Sequence, residues 1–162
     1  MKNKNLTHVD AEGNPSMVNV SDKIPTKRTA RAQAIVIVGD EILDRIKDNE
    51  LMTGKGPVFQ TAVLAGVMGA KKTADLIPLC HPLGLEDCQI SITTQEKKIL
   101  VTSSATLTAK TGVEMEALTA VTIAALTIYD MCKAMSHDIE IREIRLLEKT
   151  GGKADFRHTT EK

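Results

Sequence analysis

Four short segments of this chain carry side chains that can do chemistry: TGKG with Lys55, LCHPLG with Cys80 and His81, KTGVEMEA with Glu114 and Glu116, and YDMCK with Asp130 and Lys133. Asp130 and Lys133 are three positions apart in a run of helical composition, so they share a face and can pair. A lysine held by a carboxylate can pass a proton to and from a substrate. An exposed structural ion pair has the same signature. Lys55 stands between two glycines just ahead of a predicted helix start, where unsatisfied backbone amides favour an anion and a lysine adds charge and proton-transfer capacity. A surface lysine in a loop fits that pattern at least as well. His81, fixed between Cys80 and Pro82, is a side-chain type that serves as acid, base or ligand; a hydrogen-bonded loop histidine is equally compatible. Glu114 and Glu116 fall in the first turn of a predicted long helix, which favours carboxylates whether or not they act on anything.

Several chemistries are disfavoured. Cys80, His81, Cys132 and His137 show no recurring metal-ligand spacing, and three cysteines without a C-x-x-C pair argue against a disulfide framework or an iron–sulfur cluster. A bound metal is not expected. GVMGAKKT at 66 to 73 lacks the Walker spacing, and GKGPVF at 54 to 59 lacks the third glycine of a dinucleotide loop. Lysine plus arginine and aspartate plus glutamate each number 21 in 162 residues, so no global field recruits nucleic acid or an anionic membrane. Aromatic residues are 2% of the chain, with no Trp, too few for a base-stacking platform. A small-molecule partner is the expectation. The opening MKNKNLTHVDAEGNPS has no apolar run suited to a leader, and no run is read as long enough for a membrane span, so a cytoplasmic location is expected.

The elements that must position these residues follow from periodicity. Residues 1–25 are polar and broken by Gly13, Pro15 and Pro25, and read as an extended arm. A single domain is expected over 26–153 and a loose tail over 154–162. Within the domain, residues 30–38 read as a strand, 41–48 as a short charged helix, and 57–72 as a helix in which Gly66 and Gly69 permit close backbone approach. CQISITT and ILVTSSATL form a predicted antiparallel hairpin around TQEKK, Val113 to about Met135 a long helix, and DIEIREIRLLEK a strand whose alternation slips between Ile141 and Ile144, where a bulge belongs. The order strand–helix–strand–strand–helix–strand predicts an α+β, ferredoxin-like fold, two main helices on one face of a four-stranded antiparallel sheet, plus the short extra helix. Glu116 and Asp130, fourteen positions apart on the long helix, stand roughly 21 Å apart along its axis. One compact site in one chain can hardly use both, which calls for a long substrate or a second subunit.

The same segments resemble those of the cyclic pyranopterin monophosphate synthases, the molybdenum cofactor biosynthesis protein C family. The resemblance runs from LTHVD to KTGGKADF and includes KKTADLIPLCHPL, KTGVEMEALTA and ALTIYDMCKA. It implies a lyase that rearranges 3′,8-cyclised dihydro-GTP into cyclic pyranopterin monophosphate with loss of diphosphate. No redox cofactor is implied, and magnesium at the triphosphate is left open. By this resemblance Asp130 and Lys133 form the central acid–base pair and Lys55 is a second proton-transfer lysine. Leu79, Cys80, His81, Met115 and Glu116, with Glu114 beside them, match substrate-contacting segments. Charge adds Arg28, Lys149 and Lys153 as candidate triphosphate contacts. The implied assembly is a homo-hexamer of three dimers with sites at the dimer interface, and Lys55 and Lys133 of one site are expected from different chains. One departure is Asn19 in Met17-Val18-Asn19-Val20-Ser21, where the family commonly has aspartate. The alternative is a guanine-nucleotide-binding regulatory module without turnover, since this architecture hosts many functions.

Overall fold

The structure, a computed structural model, describes residues 12–159. In chain order the elements are β1 (Thr26–Ile37), α1 (Asp40–Leu43), β2 (Ile46–Lys47), β3 (Glu50–Thr53), β4 (Gly56–Pro57), α2 (Val58–Lys71), α3 (Thr73–Leu76), β5 (Asp87–Gln95), β6 (Lys98–Ala109), α4 (Glu114–Cys132), β7 (Glu140–Thr150) and β8 (Phe156–Arg157). The main sheet has the order β5-β6-β1-β7-β8, and every pairing in it is antiparallel. Alternation along β1 puts Ala30, Ala32, Ala34 and Val36 on its inner face, where α4 packs with Ala117, Val121, Ala125 and Ile128. Small residues on both sides let the helix lie close to the sheet, and α2 packs beside α4 and over β5.

Three expectations need correction. The sheet has five strands, not four, because Phe156 and Arg157 of the supposedly loose tail pair with Lys149 and Glu148. The predicted helix over 41–48 is one turn long. Asp48 and Asn49 both adopt positive φ (51° and 57°), which turns the chain into a hairpin with Ile46 opposite Leu51. This hairpin and β4 make a second, three-stranded sheet absent from the sequence reading. Finally, α4 is long and apolar enough by composition to cross a membrane, yet most of its apolar side chains are taken up by the sheet and α2. The slip in β7 does occur: Glu143 takes φ of 50°, and the register with β1 shifts between Gln33 and Ile35. The first 11 residues of the expected arm lie outside the described residues.

The α2–α4 contact depends on the two glycines. A Cβ at Gly66 would stand 2.8 Å from the Ala120 carbonyl oxygen and 3.2 Å from the Ala124 Cβ, and would also collide with Ile90; one at Gly69 would stand 2.7 Å from Ile123 Cγ1. Backbone on the far side of the Gly66 contact cannot turn away as a side chain would. Gly66→Ala should therefore lower stability by about 1–3 kcal/mol, read as a shift of the denaturation midpoint without a change in slope.

Candidate active site

The β3–β4 turn presents Lys55 at its tip. Thr53 Oγ1 accepts the Lys55 backbone N–H at 3.2 Å and donates to the Gly56 carbonyl at 3.2 Å, while Gly56 supplies the φ of 108° that closes the turn. The Lys55 side chain crosses to the C-terminal end of α4. There its Nζ donates to Asp130 Oδ2 at 2.6 Å and to the Asp130 carbonyl oxygen at 2.9 Å. Lys133 Nζ, one turn on, lies 2.7 Å from Asp130 Oδ1. One carboxylate thus has an ammonium group on each oxygen. Hydrogen bonds from Lys133 first and Lys55 second hold the Asp130 carboxyl down at about 2, and the same pair raises Lys133 above the ordinary lysine value. All three side chains are about half exposed.

Within one chain, both lysines therefore meet on the same carboxylate, brought there by a turn of four residues and one helix end. Sequence separation concealed this, because Lys55 reaches Asp130 only through the docking of α2 on α4.

The other candidates gather at the opposite end of α4. A pocket of about 710 Å³ is lined by Leu79, Cys80, His81, Met115, Glu116 and the arm residue Asn19, among others. A second, of about 480 Å³, is lined by Arg28, Lys149, Lys153 and Glu114 together with Lys23 and Lys110. The two share Lys23, Thr111, Gly112, Glu114 and Lys153 in their walls, so they adjoin, and together their size suits a nucleotide-like ligand. Lys149 Nζ bonds Glu114 Oε1 at 2.8 Å, and the buried Nε of Arg28 has no partner among the described residues.

The pocket residues differ in kind. Glu116 is only 3% exposed, and burial, with a smaller contribution from the charge of Glu114, raises its carboxyl above the usual carboxylate range. Cys80 is raised first by burial and then by Glu116, which keeps the thiol protonated and poorly nucleophilic. His81 Nε2 lies 2.9 Å from the Val18 carbonyl; an oxygen there can only accept, so Nε2 donates. Asn19 Oδ1 accepts the Ser21 N–H at 2.9 Å, a turn that needs a side-chain oxygen but no charge. An amide therefore serves that turn as a carboxylate would. All three cysteines are free, and among the described residues no three His, Cys, Asp or Glu side chains converge as a metal site would need.

Comparison with known proteins places this architecture. The sequence pattern of the MoaC family matches residues 17–152. The chain belongs to the MoaC family. It is also 51% identical, over 153 residues, to "Molybdenum cofactor biosynthesis protein 1" of Drosophila melanogaster; the aligned region is 93% of this chain and 27% of that protein. The chain thus spans about a quarter of the length of that curated relative.

In this MoaC family chain the two groups of residues sit at the two ends of one helix. Neither pocket is lined by Lys55, Asp130 or Lys133. The separation is roughly 21 Å, the span of the fourteen residues from Glu116 to Asp130. Lys23 and Lys110 went unnoticed in the sequence because each is an isolated lysine in a polar loop; only the fold sets them opposite Arg28. Lys110 Nζ also bonds the Ser21 carbonyl at 2.6 Å, tying the arm across the pocket mouth.

Proposed function

We propose that this MoaC family chain acts in molybdenum cofactor biosynthesis as a lyase, converting 3′,8-cyclised dihydro-GTP into cyclic pyranopterin monophosphate with loss of diphosphate. The observation that carries the reading is the Asp130 carboxylate held between two ammonium groups, in the segments that resemble the synthases. Opening and rebuilding the rings of such a substrate requires protons to be delivered and collected without oxidation. Asp130 keeps Lys133 charged, so at neutral pH Lys133 starts as a proton donor, and Lys55 on the other oxygen can replace the proton that leaves. The triphosphate would lie among Arg28, Lys149, Lys153, Lys23 and Lys110, with the unpartnered Arg28 Nε as one donor. Those residues can meet the anionic oxygens with or without magnesium. Leu79, Cys80, His81, Met115 and Glu116 would then face the ring system, where the buried Glu116 carboxyl can share a proton with a ring nitrogen.

A single chain separates these two halves, so the reading includes a second copy that brings the pocket of one chain to the lysines of another. A homo-hexamer of three dimers satisfies this. The strand order of the four long strands, with β8 added at one edge, suits a ferredoxin-like core, and cytoplasm is the proposed compartment.

The deciding experiment incubates the purified chain with the cyclised nucleotide and follows pterin formation and diphosphate release. Binding of guanine nucleotide without diphosphate release would favour the regulatory module instead. The pH profile tests the assignment of roles. The Asp130 carboxyl, held down at about 2, is ionised near neutrality, so it contributes no acid limb there. Lys133 has a raised value, so its proton is retained until the pH passes above the ordinary lysine range. Plotted against pH, kcat should stay level through neutrality as far as Lys133 is concerned and fall only on that alkaline side. A fall that disappears in Lys133→Arg would identify the group; a fall unchanged there would remove Lys133 as the donor.

A further inference from the structure

The helix α2 begins at Val58 with Pro57 as its N-cap, and Pro57 makes no side-chain capping bond. The cap comes instead from Glu50, eight residues upstream. Glu50 Oε1 accepts the backbone N–H of Phe59 at 2.7 Å and of its neighbour Leu51 at 2.8 Å, while Oε2 accepts that of Gln60 at 3.1 Å. Phe59 and Gln60 are the second and third residues of the helix, whose N–H groups an N-cap side chain would ordinarily satisfy. A carboxylate there also meets the positive end of the helix dipole.

Between Glu50 and Val58 lies the β3–β4 turn with Lys55 at its tip. Met52 pairs with Pro57 and Thr53 with Gly56, so the turn is internally fixed, but pairing sets only its shape. Its angle to the rest of the molecule depends on what joins the base of β3 to α2. Leu51 is fully buried there, and Glu50 is the polar tie. Since α2 is seated on α4 through Gly66 and Gly69, and α4 carries Asp130, the path from Glu50 to Asp130 runs through close backbone contacts. Lys55 has a long, flexible side chain whose ammonium must meet one carboxylate oxygen. A tilt of the turn would move it by an ångström or more.

We infer that Glu50 is the positioning residue for Lys55: its carboxylate caps α2 from the base of β3 and so fixes the turn that holds the Lys55 ammonium on Asp130. The inference rests on the proposed role of Lys55 in proton transfer. Glu50 itself touches neither Lys55 nor Asp130 and is not a catalytic residue.

Glu50→Ala and Glu50→Gln test it in the full chain, against Leu107→Ala, a core truncation in β6 that lowers stability away from the turn. Two quantities are measured per mole of folded protein: kcat and KM with the cyclised nucleotide, and the titration of the Asp130 carboxyl by carbon-13 NMR. With Glu50→Ala, kcat should drop about tenfold or more while KM stays within about twofold, the pattern of a displaced reacting group. The Asp130 titration should rise from about 2 as the Lys55 contact weakens. Glu50→Gln retains one accepting oxygen and should fall between wild type and alanine in both readings. Leu107→Ala should change neither. Should Glu50→Ala fail to fold, Glu50→Gln against wild type decides by the same two readings. The inference is overturned if the Glu50 variants lose stability alone, with kcat and the Asp130 titration at wild-type values. If wild-type protein makes no product, the lyase reading fails, and the NMR titration alone still decides whether Glu50 positions Lys55.

Discussion

Lys133→Ala is expected to lower kcat by a factor of about 10²–10⁴, the range for removal of a positioned acid–base group, while the protein remains folded. The geometry gives both halves of that result. The Lys133 side chain is half exposed and follows the last turn of α4, and among the described residues it pairs with Asp130, so little packing is lost. Exposed ion pairs add little to stability, and alanine suits a helix end. What the variant loses is the proton itself. Lys55 still holds Asp130 Oδ2, which makes the remaining pair a one-donor site and should move the Asp130 titration upward from about 2. Product formation is measured by chromatography and folding by circular dichroism. Turnover near wild type in a well-folded variant would remove Lys133 from the proposed chemistry.

Mixing inactive subunits is the second large effect, and the structure changes which mixtures should work. Lys55 and Lys133 meet on Asp130 within one chain, and if that trio works as one half-site, Lys55→Ala mixed with Lys133→Ala should stay at background. Lys133→Ala and Glu116→Gln damage opposite ends of α4. If the pocket of one chain meets the lysines of another across a two-fold interface, their heterodimers carry one intact site and one doubly damaged site. Random exchange should then recover about a quarter of wild-type activity. Activity in the first mixture, with exchange verified by mass spectrometry, would mean that the lysines act across chains after all. Background in both mixtures would leave each site within one chain.

The sequence made some of this legible and hid the rest for physical reasons. Long elements with one buried face were readable: β1, β5, β6, α2 and α4 all lie where alternation or helical spacing put them, and the bulge in β7 followed from a break in phase. The hairpin of β2 and β3 was not, because Asp48 and Asn49 sit in a charged stretch that has good helix composition, and only their positive φ reveals a turn. β8 was missed since two residues carry no periodicity. Within the candidate site, Asp130 and Lys133 were paired by helical spacing alone. Their meeting with Lys55, 75 residues away, depends on tertiary packing that no local pattern encodes. Glu50 offered no signal at all, since a cap from eight residues upstream resembles an ordinary surface glutamate.

The two ends of α4 also constrain how this chain can vary. One residue inserted between Glu116 and Asp130 would turn one end against the other by about 100° and lengthen the helix by about 1.5 Å. Either the apolar stripe would leave the sheet, or one group of polar side chains would point away from its partners. Substitution is open to much of this helix, but change of length is not; the reading frame of the helix acts as a phase lock between its ends. The β5–β6 turn at Glu96 and Lys97, exposed and tied to the rest by the Lys97–Asp40 ion pair, carries no such lock and can be lengthened at little cost.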